Sequence, residues 1–401
     1  MKVLVVDQYY YPEEFQINDI CEQMVKDGHS VTVLTGLPNY PTGIIPDEYK
    51  HGKKRDEIIN GVRVIRSFEI GRKKGALGMA LNYMSFVISA SIKQFVLDRD
   101  FDLVFIYETS PVTLAVPGEK YAKRLKKPVF LYCCDIWPEC VKVMIKDEKS
   151  IAYKLIKKWS THIYQGADII ALQSEGFFDY FEKIHCISKN KLKYLPQYAN
   201  SEYLNIDFTT EENGIIDFVF LGNVGIAQDI GGLIEAVESL SGVGGFKVHI
   251  VGAGSFLDEA KRLVDEKHLN DLIVFYGRRP YDEMVLFYRL ADVCVATLQA
   301  NSLLNLTMPS KIQGYMAAGK PILAALSGKS REVIEDNKCG ICVTPGNTKE
   351  LADKMREYIV NYDKFKNYGT NGREFFRNNY TKDIFMKRLY IQMDETIQNY
   401  Y

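Results

Sequence analysis

The sequence predicts an α/β protein built from two doubly wound parallel sheets. Three observations predict this. At 401 residues the chain is too long for one ordinary hydrophobic core. Short runs rich in Val, Ile, Leu and Phe alternate with helical patterns almost throughout. A polar, irregular stretch, 196–214, separates two such series.

In the first series, strands are expected at 2–7, 30–35, 62–68, 102–106, 128–132, 168–171 and 193–195. Helices are expected between them, including 16–26, 112–125 and 151–165. In the second, strands are expected at 218–221, 246–251, 272–276, 293–297, 322–325 and 341–343. Most show no polar alternation, as fits parallel strands covered on both faces. The lobes are then 1–200 and 201–380, with a helix at 381–401 packing back on the first. In open α/β sheets ligands bind beyond the carboxyl ends of the strands, so a cleft between the lobes is the expected site.

Hydrophobic content of 47% and charged content of 25% are those of a soluble globular protein. A net charge of -1 argues against a general nucleic-acid binder. The charge is uneven, with +4 over residues 1–200 and -5 over the rest. Between Lys50 and Lys74 stand nine basic and three acidic residues, which suits an anionic surface or substrate, or a solvated face. The eight Cys form no paired framework, and Cys133 and Cys134 are adjacent, so a reducing, cytoplasmic setting is expected. Cys339 and Cys342 are spaced CxxC, but no metal site is expected there or elsewhere. The N-terminus opens directly on a strand rather than a signal peptide, and no uninterrupted apolar stretch is long enough to span a membrane. The apolar segment 76–95 follows Arg72, Lys73 and Lys74. It is expected to be partly buried with an edge against a membrane surface.

Four motifs of the second lobe suit an anionic ligand. Gly222, Asn223 and Gly225 follow a strand and precede a helix, and Gly252 to Gly254 repeat the arrangement after the next strand. Small residues there let backbone amides approach an anion, although many ordinary βα turns also contain Gly. Gly277 and Arg278 stand at a third strand end, where a backbone edge can read a base and an arginine can stack or bind phosphate. The strongest is Thr307-Met308-Pro309-Ser310-Lys311 before a helix. Pro309 suits a first turn with Thr307 or Met308 at the cap. The amides there, the Ser310 hydroxyl and the Lys311 ammonium together can neutralise a diphosphate without a metal.

The first lobe is expected to supply acceptor and catalytic groups. Asp135-Ile136-Trp137-Pro138-Glu139 follows a strand, and Asp135 is expected near the N-cap of a helix. Asp135 or Glu139 then orients or deprotonates an acceptor hydroxyl, while Trp137 lines a sugar-binding wall. Tyr11, Glu14 and Phe15 lie in the first βα loop, and Asn39 and Tyr40 in the second. Their aromatic and amide groups suit stacking on, and hydrogen bonding to, a sugar. None of the six His residues stands out as catalytic.

The stretches QYYYPEEF, GHSVTVLTGLPNYPTG, DIWPE, LGNVGIAQDI and TMPSKIQGYMAAGKPIL together resemble the family-4 bacterial glycosyltransferases of the GT-B fold. The resemblance covers nearly the whole chain. It is nearest the subgroup of N-acetyl-fucosamine type that builds O-antigens and capsules. It implies a retaining, metal-independent transferase that needs no cofactor beyond its nucleotide-sugar co-substrate. The sugar, an N-acetylated 6-deoxy-hexosamine on UDP, would pass to a lipid-linked saccharide at the inner face of the cell membrane. Two departures stand out. The family's paired Glu positions are Leu306 and Gly314 here, and its Arg and Lys positions in the first turn of the second lobe are Asn223 and Gln228. A nucleotide-sugar epimerase of the same fold and a non-catalytic nucleotide-sugar-binding subunit are the alternatives.

Overall fold

The computed structural model describes residues 1–401 except 74, 144, 146, 281 and 301–305, with position 143 described by its backbone alone. The chain forms two units. The first comprises Met1–Gln173, Phe177–Leu195 and Met386–Tyr401, and the second Ser174–Gly176 and Pro196–Phe385.

The first unit carries eight strands: β1 (Lys2–Val6), β2 (Ser30–Thr35), β3 (Asp56–Ile59), β4 (Val62–Arg66), β5 (Leu103–Glu108), β6 (Val129–Cys133), β7 (Ile169–Leu172) and β8 (Leu192–Tyr194). Their order is β3-β4-β2-β1-β5-β6-β7-β8, parallel except for β3. Its helices are α1 (Gln16–Lys26), α2 (Ala76–Lys93), α3 (Val116–Leu125), α4 (Ile151–Gly166) and α5 (Phe177–His185). β1 and β5 are buried along almost their whole length, as their unbroken apolar runs require.

Two details differ from expectation. The antiparallel β3 pairs with β4 across Asn60 and Gly61, whose φ angles are 50° and 84°. Positive φ at both central residues is the two-residue hairpin turn for which Asn-Gly is the favoured sequence. The expected helix 112–125 is a 3-10 turn, Val112–Ala115, followed by α3. Pro117 stands in the first turn of α3, where a missing N–H costs nothing.

The second unit holds β9 (Ile216–Leu221), β10 (Phe246–Val251), β11 (Ile273–Gly277), β12 (Val293–Thr297), β13 (Ile322–Ala325) and β14 (Gly340–Val343), all parallel, in the order β11-β10-β9-β12-β13-β14. Around it lie α6 (Ile230–Glu238), α7 (Leu257–Glu266), α8 (Met284–Leu290), α9 (Ser310–Ala317), α10 (Lys329–Asp336), α11 (Thr348–Asn361) and α12 (Lys366–Asn379). Side-chain alternation along β9 sends Phe218 and Phe220 into one apolar layer, with α6 and α11, and Val219 and Leu221 into the other, with α9 and α12. Each such buried side chain contributes roughly 1.5–3 kcal/mol. The last helix, α13 (Lys382–Tyr400), runs from the second unit into the first. There Tyr390 donates to Asp27 at 2.6 Å and Lys193 pairs with Glu395 at 2.7 Å.

Candidate functional site

In the second unit the strand order reverses beside β9, between β10 and β12. The crevice beyond the carboxyl end of such a strand is where open α/β sheets take ligands. Gly222 follows β9 with φ of 130°, and Gly252 follows β10 with φ of 150°. A Cβ on Gly252 would stand 1.7 Å from the Gly222 carbonyl oxygen, and one on Gly254 would stand 2.3 Å from that of Val224. Backbone thus packs on backbone, and only glycine fits. The Gly222 amide donates to Val251 O at 2.9 Å and the Val224 amide to Ala253 O at 3.0 Å.

Asn223 and Gln228 meet each other. The Asn223 side-chain amide and the Gly225 N–H both donate to Gln228 Oε1 at 3.1 Å, closing the turn. At the third strand end, Gly277 has φ of 67° and its carbonyl accepts from the Gly252 amide at 2.9 Å. That carbonyl is occupied within the protein, while Arg278 is exposed.

The fourth motif caps its helix later than at the expected Thr307 or Met308. Pro309 is the N-cap of α9, with φ of -60° and ψ of 130°, and Ser310 is the first helical residue. The reason is local: Ile312 N–H donates back to Pro309 O at 2.9 Å, which fixes the first turn. The amides of Ser310 and Lys311 lie ahead of the helix's own hydrogen-bond ladder. Ser310 is exposed, and the Thr307 carbonyl accepts from Ser330 Oγ at 2.9 Å. Lys311 turns inward. Its Nζ is buried, lies 3.6 Å from the Phe220 ring centre, and has no hydrogen-bond partner among the described residues. A Cβ on Gly222 would stand 3.3 Å from it. Burial pulls this ammonium from its usual range down to about 7.

Tyr315, one helical turn beyond Lys311, anchors α9 to the sheet. Its hydroxyl accepts from Leu221 N–H at 3.1 Å and donates to Val295 O at 3.0 Å. Sequence reading missed Tyr315 and Phe220, though the spacing of 311 and 315 places both on one helix face. Of the two positions where the family pattern has Glu, Leu306 offers its carbonyl to Ser174 Oγ. At Gly314 an added Cβ would stand 2.7 Å from the Tyr288 hydroxyl, so Tyr288 fills that space.

In the first unit the two βα loops come together at the carboxyl ends of β1 and β2. Buried Glu13 accepts from the backbone amides of Asn39 and Tyr40 at 2.7 and 2.5 Å. The Phe15 ring lies 5.3 Å from Tyr9 and 5.7 Å from Tyr40. The Arg72 guanidinium lies 5.9 Å from the Tyr40 ring centre. Tyr11 is exposed and its carbonyl accepts from Arg66 at 2.7 Å, while Glu14 is exposed. Asn39 is buried and donates to Glu69 Oε1 at 3.1 Å. Gln8 and Asn82 converge on the same oxygen. Three amides favour the carboxylate, but burial outweighs them and pushes Glu69 up to about 8. No sequence motif marked Glu69.

The helix expected after Asp135 is absent. Bends and a turn lead to a short 3-10 segment, Glu139–Val143, so Asp135 caps no α-helix. Instead its carboxylate accepts from Ser110 Oγ at 2.7 Å, and Ser110 accepts from Trp137 Nε1 at 3.1 Å. Glu139 accepts from the hydroxyls of Tyr153 and Tyr180 at 3.2 and 2.7 Å and pairs with Lys142. Glu139 is thereby held inside a packing network, whereas among the described residues Asp135 accepts from one side chain, that of Ser110. Among the described residues no group of three or more His, Cys, Asp or Glu is arranged to hold a metal ion.

The family description "Glycosyl transferases group 1" matches residues 205–375. The chain is 25% identical over 330 residues to the probable glycosyltransferase WbjE of Pseudomonas aeruginosa, covering 78% of each chain. It is 24% identical over 167 residues to O-antigen chain mannosyltransferase C of Escherichia coli, covering 41% of this chain and 43% of that one. Among solved structures, Anabaena Alr3699/HepE in complex with UDP superposes with a TM-score of 0.71 at 15% identity, covering 98% of this chain and all (100%) of that one. The chain is a glycosyltransferase of the GT-B fold, and residues 205–375 of its second unit match the group 1 glycosyl transferase description.

Proposed function

We propose that the chain moves a sugar from a nucleoside diphosphate to a saccharide acceptor, with retention of configuration and without a metal. One observation carries this reading: the buried Lys311 ammonium has no hydrogen-bond partner among the described residues and stands beside Gly222, at the strand-order reversal where an anion is expected. A diphosphate placed there would meet Lys311 Nζ, the leading amides of α9 and the backbone around Gly222 and Gly225. The bond from the sugar's anomeric carbon to the diphosphate oxygen breaks, and the diphosphate keeps the electron pair. Lys311 offsets the charge that develops on it. The acceptor hydroxyl attacks the same face of the oxocarbenium-like sugar, and its proton passes to a diphosphate oxygen. Asp135 orients that hydroxyl, with Trp137, Tyr40 and Phe15 as apolar walls for sugar rings.

UDP as the carrier is supported by the UDP-bound neighbour of the same fold. A place in O-antigen synthesis is supported by the O-antigen relative, while the lipid-linked acceptor and the capsule alternative rest on the sequence resemblance. The N-acetylated 6-deoxy-hexosamine rests on the sequence resemblance. The test is a thermal-shift screen of UDP- and GDP-sugars, followed by turnover of the stabilising donor. Slow release of UDP from the parent, lost in Lys311→Ala, is the expected result. An isomerised donor with no release would make the protein an epimerase. Stabilisation with no turnover in the presence of acceptor would make it a binding subunit.

A further inference from the structure

α2 is apolar on two faces. One face is buried through Phe86, Val87 and Ala90 and is pinned by Asn82, whose amide donates to Glu69 Oε1 and to Ile70 O. The other presents Leu77, Leu81, Met84, Ile88, Ile92 and Phe95 to solvent, recurring every three or four residues through the 3-10 turn Gln94–Val96. Leu77 is 74% exposed and Ile92 66%, so this is an uncovered stripe and not the margin of a core. Contiguous apolar surface of this kind marks an interaction site. Among the described residues no helix is long and apolar enough to cross a membrane.

The charge on the helix itself has one sign. α2 contains no acidic residue. Nearby Asp56 is already paired with Arg63 at 2.8 Å and Glu57 with Arg66. Arg55 and Lys93 make no ion pair among the described residues. With Phe68, Ile92 and Val96 they line an apolar cavity of about 460 Å³. The Arg124 guanidinium lies 4.9 Å from the Phe95 ring centre at the far end of the stripe.

We propose that this face of the first unit docks on a bilayer containing anionic phospholipid. The stripe enters the headgroup–acyl boundary, Arg55, Lys93 and Arg124 meet lipid phosphates, and the cavity beside Phe68 takes the upper part of one acyl chain. Apolar burial supplies the hold, and the cations select the anionic surface.

The test is co-sedimentation of the full chain with vesicles of phosphatidylcholine alone and of phosphatidylcholine with phosphatidylglycerol. Binding to the anionic vesicles, weakened by raised ionic strength, is expected. The triple variant Leu81→Gln/Ile88→Gln/Ile92→Gln should lose roughly tenfold or more in vesicle affinity. Arg55→Gln/Lys93→Gln should lose the preference for anionic over neutral vesicles. These side chains lie outside the proposed donor site, so both variants should keep the parent's thermal shift with UDP, which also reports that they fold. Absence of sedimentation, equal binding to both vesicle types, or parental binding by the folded triple variant would overturn the proposal. So would a parent dimer that the triple variant converts to monomer, because a second copy would then cover the stripe. Loss of the UDP response with vesicle binding intact would count against the donor-site reading alone.

Discussion

Lys311 Nζ stands 3.6 Å from the centre of the Phe220 ring, an ammonium facing an aromatic where an anion would otherwise be. The ring's negative face offsets part of the desolvation cost and keeps the side chain aimed at Gly222. It does not offset all of it, which is why the group is pulled down to about 7.

That shift predicts proton-linked binding. Near and above neutral pH part of the population carries a neutral Lys311, and a bound diphosphate restores its charge. Calorimetric titration of UDP in buffers of different ionisation enthalpy should show proton uptake above pH about 7, absent in Lys311→Met. The folded-state value lies below the unfolded one of 10.5. The destabilisation is therefore full below pH about 7 and fades as pH rises toward 10. Lys311→Met should accordingly stabilise the ligand-free protein by several kcal/mol, at most about 5 kcal/mol, at neutral pH. The same variant should lose roughly 2–4 kcal/mol of transition-state stabilisation in kcat/KM.

Tyr315→Phe removes the hydroxyl shared by Leu221 N–H and Val295 O. Leaving these buried groups unpaired should cost about 1–3 kcal/mol in a denaturant titration. It should also weaken UDP binding, because α9 loses its anchor at the end of β9.

Gly252→Ala should be among the most damaging single-methyl additions. Its φ of 150° disfavours any side chain, and the new Cβ would stand 1.7 Å from a backbone oxygen that cannot rotate away. A loss of about 3 kcal/mol or more, read as a lower melting temperature, is expected.

Glu69→Gln should stabilise the protein in a pH-dependent way. Glu69 titrates at about 8 folded, against 4.5 for the ordinary group. The stability it contributes is fully present below pH about 4.5 and is lost as pH rises to about 8. The amide keeps an acceptor oxygen for Gln8, Asn39 and Asn82. The difference in melting temperature between variant and parent should therefore grow from about pH 5 to about pH 8 and then level off. A difference independent of pH would contradict a carboxyl titrating near 8.

Asp135 and Glu139 should separate cleanly. Asp135→Asn keeps a partner for Ser110 and should leave stability nearly unchanged while lowering transfer by roughly 10²-fold or more. Glu139→Gln breaks the pairing with Lys142 and weakens the bonds from Tyr153 and Tyr180, at about 1–3 kcal/mol of stability. Equal kinetic losses with equal unfolding midpoints would remove the distinction.

By itself the sequence determined the strand–helix alternation, the two parallel sheets and the glycine-rich strand ends. These follow from local rules: apolar runs make buried strands, and Gly supplies the φ angles of Gly222 and Gly252 that other residues resist. Even β3 was legible in the hairpin signal Asn60-Gly61, which was overlooked. Tertiary structure decided what each polar group meets. Asn223 and Gln228 stand in the sequence at the family's Arg and Lys positions, and only the fold shows that they pair with each other. Glu69 carried no motif, because its environment is assembled by Gln8, Asn39 and Asn82 from three separate elements. The sequence led to the expectation that α2 is only partly buried, but which residues form its uncovered stripe was decided by packing. Backbone preference is local and can be read residue by residue. Burial, and with it the charge state of Lys311 and Glu69, depends on neighbours that only the folded chain brings near.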